Sequence, residues 1–241
     1  MNIFKRKPKL HSSKIVIAEK GTKIGSGGYT RLRDNIIYLN ATGNTKVIQV
    51  ESAVPHEGKT TLVANLAVSL GYTDKKVLVL DLDLRRPRVH RLFGLKKEIG
   101  LADYILSTAT KEQIIKKTDY KNVDIITRGA EVTNPSLILV SDKFKNFVEE
   151  LKADYDYIII DCAPILQVSD YIHISKVSDG ILFLAAFGRT TKIQVSEAIA
   201  ELQKNDIKVL GSVFTMYDKK KDKGYGYYGK YYSYDYEDNE N

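Results

Sequence analysis

From residue 46 onward, short runs of consecutive apolar residues alternate with longer segments whose apolar positions keep a helical spacing. Val47-Ile48-Gln49-Val50 is followed by a helix predicted from Lys59 to Leu70, and then by a second strand, Val77-Leu78-Val79-Leu80. Further strands are predicted over Val123 to Thr127, Tyr157 to Ile160, Ile181 to Ala185 and Val209 to Phe214. A strand that is apolar at every position is covered on both faces. With helices between the runs, this predicts an α/β fold: a doubly wound, mostly parallel sheet with helices on both faces. In such sheets ligands sit beyond the carboxyl ends of the strands, so the residues that follow each run are where chemistry is expected.

The two ends read differently. Residues 1 to about 45 are polar and broken by Gly21, Gly25, Gly27 and Gly28, after which Ile36, Ile37, Tyr38 and Leu39 predict one helix packed on the body. Beyond Tyr217 aliphatic residues all but vanish, and a core cannot form without them. The expected organisation is a mobile basic arm over residues 1–28, a folded domain over 29–217 and a disordered tail over 218–241.

Composition narrows the class. A chain of 241 residues with 43% hydrophobic content buries one substantial core. Its longest apolar runs fall far short of the roughly 20 residues that a membrane span needs. Lys5-Arg6-Lys7 is not followed by the apolar segment of a secretory signal, so a cytoplasmic chain is expected. The single cysteine, Cys162, rules out an internal disulfide and a cysteine-rich zinc site, and reads as a small buried residue. The net charge of +7 is concentrated at the ends, in Lys5 to Lys14 and in Lys219-Lys220-Lys221 with Lys223. It serves either solubility or contact with acidic lipid; no nucleic acid partner is expected.

Three strand ends carry the chemistry. Ala53-Val54-Pro55-His56-Glu57-Gly58-Lys59-Thr60, with Thr61 behind it, lies between a strand and a helix, where a phosphate-cradling loop must lie. Its backbone N–H groups and the helix N-terminus face an anion, Lys59 reaches the β and γ phosphates, and Thr60 offers a hydroxyl to Mg²⁺. Ala53 stands where the common form of this loop has its first glycine. The second strand runs into Asp81-Leu82-Asp83-Leu84-Arg85-Arg86-Pro87. The two carboxylates are assigned different tasks, one accepting a proton and the other orienting metal-bound water, and Arg85 and Arg86 either hold phosphate or pair with acids. A third strand ends in Asp161, a second acidic element of the kind phosphate-loop enzymes use for Mg²⁺, although strand-end aspartates also cap helices. Together these elements make the sheet one of P-loop NTPase type that binds ATP with Mg²⁺. His11, His90 and His173 lack the spacing of metal ligands.

In this order the motifs resemble the bacterial tyrosine kinases (BY-kinases) that accompany capsular and exopolysaccharide synthesis. Ser52 to Thr60 looks like their Walker A loop, Asp81 to Pro87 like their Walker A′, and Asp161 like their Walker B acid. Asn134-Pro135-Ser136 and Gly188-Arg189-Thr190-Thr191 look like the family too, as does a tail with seven tyrosines: Tyr225, Tyr227, Tyr228, Tyr231, Tyr232, Tyr234 and Tyr236. The resemblance implies an ATP-dependent protein tyrosine kinase that phosphorylates this tail between copies. In that role Asp81 accepts the tyrosine proton, Asp83 and Asp161 organise Mg²⁺, and Lys59 stabilises the transferring phosphoryl group. It also implies a membrane-bound activator, namely the cytoplasmic tail of a polysaccharide co-polymerase, with the kinase peripheral at the inner face of the cell membrane. A cognate phosphatase is the remaining partner it implies. Of the family's oligomerisation pattern Glu-x-x-Arg-x-x-Arg only Arg33 is retained, and Val213-Phe214-Thr215 replaces the asparagine that commonly follows the last strand.

Two other readings stay open. A partitioning-type switch ATPase of the same superfamily carries an extra lysine early in the loop, where this chain has Val54. A nucleotide-binding regulator of the polysaccharide machinery would share the fold without transferring phosphate.

Overall fold

The computed structural model describes residues 15–17 and 26–217. Its centre is one seven-stranded sheet: β1 (Val47–Ser52), β2 (Val77–Asp81), β3 (Ile115–Lys117), β4 (Val123–Ile126), β5 (Tyr157–Asp161), β6 (Gly180–Ala186) and β7 (Val209–Thr215). They are ordered β3-β4-β2-β5-β1-β6-β7. All neighbours run parallel except β3, which lies antiparallel on β4. The interior strands are buried at every position, as expected of a sheet covered on both faces, and in β1 this burial includes Gln49, Glu51 and Ser52. The six longer strands fall where the sequence predicts them; β3, three residues long, is too short to announce itself by periodicity.

Alternation along the strands splits the core in two. Ile48, Val50, Val77, Val79 and Ile159 face α1 (Ser26–Gly43) and α2 (Lys59–Gly71), whereas Val47, Leu78, Leu80, Ile158 and Ile160 face α7 (Asp142–Asp154) and the short helices before it. Those are α3 (Val89–Leu92), α4 (Leu101–Ile105), α5 (Lys111–Ile114) and α6 (Ser136–Leu139). α7 is amphipathic: Phe144, Phe147, Val148 and Leu151 keep the i, i+3, i+4, i+7 spacing and are all buried. Its start is fixed by Ser141, whose hydroxyl accepts the N–H of Phe144, a cap worth about 1 kcal/mol. α2 presents no exposed face beyond its first turn: α1 packs on it, and Leu62 through Gly71, Asn65 and Ser69 included, are buried. α8 (Asp170–Ser175) and α9 (Lys192–Lys204) close a smaller apolar cluster over β6.

The expected arm is not detached throughout. Ile15 and Ile17 are buried against α2, and the Val16 N–H donates to Asn65 Oδ1 at 2.8 Å. α1 begins at Ser26, inside the stretch assigned to the arm. Glycine spacing alone hides both features, because a single edge contact and a helix start leave no periodic signal. The tail and its seven tyrosines lie outside the described residues. Among the described residues no helix is long and apolar enough to cross a membrane.

Candidate nucleotide site

The loop between β1 and α2 is held in shape by its own carboxylate. Glu57 is fully buried. Its Oε2 accepts the Val54 N–H at 2.7 Å, and its Oε1 accepts the Ala186 N–H at 3.2 Å and the Thr190 hydroxyl. Outside the loop, the Arg189 guanidinium donates to the His56 carbonyl at 2.7 Å, and the Thr215 hydroxyl donates to the Glu57 carbonyl at 2.6 Å. The chain around Gly188 to Thr191 is therefore the loop's scaffold, a role its composition did not reveal.

Within this loop two residues adopt left-handed backbone: Gly58 at φ 95° and His56 at φ 66°. Gly58 does so at no cost, whereas a side chain at His56 costs roughly 1–2 kcal/mol. The bonds from Glu57 and Arg189 on either side offset that strain. Glu57→Ala leaves the part-buried Val54 N–H without its acceptor and takes the Thr190 hydroxyl's partner away, while the Ala186 N–H keeps the Thr190 oxygen at 2.9 Å, so it is expected to destabilise the protein by about 2 kcal/mol in denaturant unfolding. Glu57→Gln, which keeps one acceptor, is expected to cost less than half of that.

Ala53 is buried, and Val54 and Pro55 lead into the turn. Lys59 opens α2 and is only 7% exposed; its Nζ donates to Ser52 Oγ at 2.8 Å. From Pro55 through Thr61 the loop lines a cavity of about 390 Å³, completed by Asp83, Arg86, Arg88, Arg91, Gln167, Arg189 and Met216. Arg88, Arg91, Gln167 and Met216 have no motif signal, because loop residues reach a shared cavity only through the fold. Phe214 does not line it and stands 73% exposed, and Thr215 is engaged with the loop.

The three acids part company. Asp81 and Asp161 end neighbouring strands at the same level, paired across β2 and β5. Both are buried, neither lines the cavity, and each has one oxygen, Oδ1, without a hydrogen-bond partner. Asp81 Oδ2 accepts the Val89 N–H at 3.1 Å. Burial is the main cause that pushes the Asp81 carboxyl well above the usual carboxylate range, and the charge of Asp161 adds to it. Burial also raises Asp161, against the opposing pull of Lys59 and a hydrogen bond from Thr60. Nearby Glu51 is pushed up to about 8, again chiefly by burial. Alternate residues of an extended strand share a face, so Asp83 would lie beside Asp81 had β2 continued. The strand stops at Asp81 instead, and Asp83 turns into the cavity wall, where it accepts the Arg86 N–H at 2.9 Å. The two arginines also separate: Arg86 lines the cavity, while Arg85 pairs with buried Asp170 at 3.4 Å and donates to Ser136 Oγ at 3.2 Å.

Among the described residues no three acidic, histidine or cysteine side chains converge as an all-protein metal cage. Mg²⁺ bound with a nucleotide does not need one, since it takes one or two carboxylates, a hydroxyl, waters and phosphate oxygens. The orphaned Oδ1 of Asp161, next to the Thr60 hydroxyl, fits such a hard cation.

Comparison with known proteins bears on the family. The family described as AAA domain matches residues 45–204. Tyrosine-protein kinase YwqD of Bacillus subtilis (strain 168) is 34% identical over 215 residues, covering 89% of this chain and 91% of the relative. Tyrosine-protein kinase ptk of Acinetobacter johnsonii is 31% identical over 213 residues, 88% of this chain, but the chain spans only 29% of that longer protein. Among solved structures, the chimerical protein CapA2B2 superposes with a TM-score of 0.79 at 28% identity, over 84% of this chain and 89% of that one. The septum site-determining protein MinD of Pyrococcus horikoshii OT3, complexed with Mg-ADP, superposes less closely, with a TM-score of 0.60 at 27% identity over 70% of each chain. A loop braced on β6 and β7, two strand-end acids at one level, a family model that spans residues 45–204, and a tyrosine-protein kinase matched over 91% of its length lead to one assignment: the chain belongs to the AAA domain family and, within it, to the bacterial tyrosine-protein kinases.

Proposed function

We propose that this chain binds ATP with Mg²⁺ in the 390 Å³ cavity and transfers the γ-phosphoryl group to tyrosine hydroxyls, those of its own tail among them. The observation that carries the reading is the pairing of Asp81 with Asp161, the latter in reach of the Thr60 hydroxyl and of the Lys59 charge. Loop N–H groups and the α2 N-terminus hold the phosphates, and Lys59 neutralises charge that grows on the transferring group. Thr60 and Asp161 would hold Mg²⁺, with Asp83 as a further acid in the cavity, and the ion would supply positive charge against that of the phosphates. Asp81 takes the proton of the tyrosine hydroxyl, and burial raises its proton affinity above that of an ordinary carboxylate.

A second assignment has one observation in its favour: Asp83, not Asp81, lines the cavity. The two asparagine variants separate them. The variant of the base loses transfer at every Mg²⁺ concentration, whereas loss in the metal-orienting variant is partly restored by excess Mg²⁺.

Around this chemistry we place a membrane-bound activator, its cytoplasmic tail docking the kinase at the inner face of the cell membrane, and a role in capsular or exopolysaccharide synthesis. A phosphatase would reset the tail. The test of the central reading is intact mass after incubation with ATP and Mg²⁺, with and without an activator fragment. Several added phosphates, lost when residues 218–241 are removed, support a tail-directed kinase. ATP hydrolysis without added mass would move the assignment to a switch ATPase.

A further inference from the structure

We propose that Arg86, Arg88 and Arg91 form a rim that selects tyrosines flanked by carboxylates, and that its occupant is the acidic tip of a second copy's tail, Tyr234-Asp235-Tyr236-Glu237-Asp238. This inference rests on the phosphoryl-transfer reading above. All three side chains line the cavity, all three are exposed, and none forms an ion pair with a carboxylate among the described residues. Other arginines are engaged: Arg85 with Asp170, Arg189 with the loop carbonyl of His56, and Arg128, nearly buried, with the Leu84 carbonyl. Three unpaired guanidinium groups around one opening repel one another, and an anion that enters relieves that repulsion.

The rim is also fixed in place. Asp83 accepts the Arg86 N–H and Asp81 accepts the Val89 N–H, so the two acids clamp the turn that carries the arginines. A nucleotide's phosphates are gripped by the loop and Lys59. The arginines line the same cavity together with Asp83 and come from the turn and helix that follow β2, not from the loop that holds the phosphates. The tail offers a graded match. Its root, Lys219-Lys220-Lys221 and Lys223, is repelled by the rim, whereas Asp235, Glu237, Asp238 and Glu240 surround the last tyrosines. Tyr234 and Tyr236 are therefore modified before Tyr225. Each phosphate then adds charge that the rim also favours.

The test uses the full chain and two peptides, one with the sequence of residues 231–241 and one with its four carboxylates replaced by amides. Anisotropy of labelled peptide reads binding without ATP, and kcat/KM with ATP and Mg²⁺ reads transfer. The acidic peptide is expected to bind on the order of tenfold more tightly at low salt and to lose that margin at high salt. Each of Arg86→Gln, Arg88→Gln and Arg91→Gln is expected to lower the ratio between the peptides by roughly threefold, and lysine at the same position to restore part of it. Equal binding of the peptides would overturn the inference, as would a preference that survives all three changes. It would also fall if the variants raised KM for ATP and left the peptide ratio alone. Selective binding without transfer leaves the rim standing and sinks the kinase reading; equal phosphorylation of both peptides does the reverse.

Discussion

Replacing Lys59 with methionine is expected to lower tyrosine phosphorylation by about 10²–10³-fold without unfolding the chain. The lysine is nearly buried at the first turn of α2, with its ammonium group on Ser52 Oγ. Methionine fills a similar volume and removes only the charge, so circular dichroism should be unchanged while phosphate addition, followed by intact mass, disappears. The same charge lowers the proton affinities of Asp161 and Glu51. Its loss therefore weakens Mg²⁺ retention as well, because more of Asp161 stays protonated. Transfer at the unaltered rate would remove Lys59 from the chemistry.

The second large effect joins two opposite changes in one substitution. Asp81→Asn is expected to cost about 10²–10⁴ in transfer rate and yet to stabilise the metal-free protein at pH 8 by on the order of 1–3 kcal/mol. Asparagine keeps the oxygen that accepts the Val89 N–H and discards a buried charge. The sign follows from linkage. Asp81, Asp161 and Glu51 have proton affinities raised on folding, so over the window from about pH 4 to about pH 8, the value reached by Glu51, the folded state holds more protons than the unfolded one. Stability then falls as pH rises through that window. In chelator, the thermal midpoint of the wild-type chain should drop between pH 5 and pH 8, and Asp81→Asn should flatten the slope. A midpoint that rises over this range would contradict the burial of these carboxylates.

The sheet and the three strand-end acids could be read from the chain because each rests on local residues: an apolar run, then a carboxylate or the Gly58-Lys59-Thr60 triplet. What was not readable depends on pairs distant in sequence. Nothing near Glu57 indicates that its carboxylate would meet Ala186 and Thr190, and nothing near Arg85 that it would turn from the cavity to Asp170. Arg91 and Met216 join the cavity from different strands' loops. Ile15 and Ile17 carry no signal in the sequence, because two isoleucines alone make no period.

The pairing of Asp81 with Asp161 has a consequence for how such a chain tolerates change. The two acids are separated by 80 residues, 81 to 161, yet their mutual distance is set by strand register alone. Insertions in the surface connections between them, such as the turn at residues 118–122, leave the spacing intact. A single residue added inside β5 would swing one carboxylate to the opposite face. The sheet thus works as a ruler and the loops as slack, so length variation should gather in the connections while β2 and β5 keep their register.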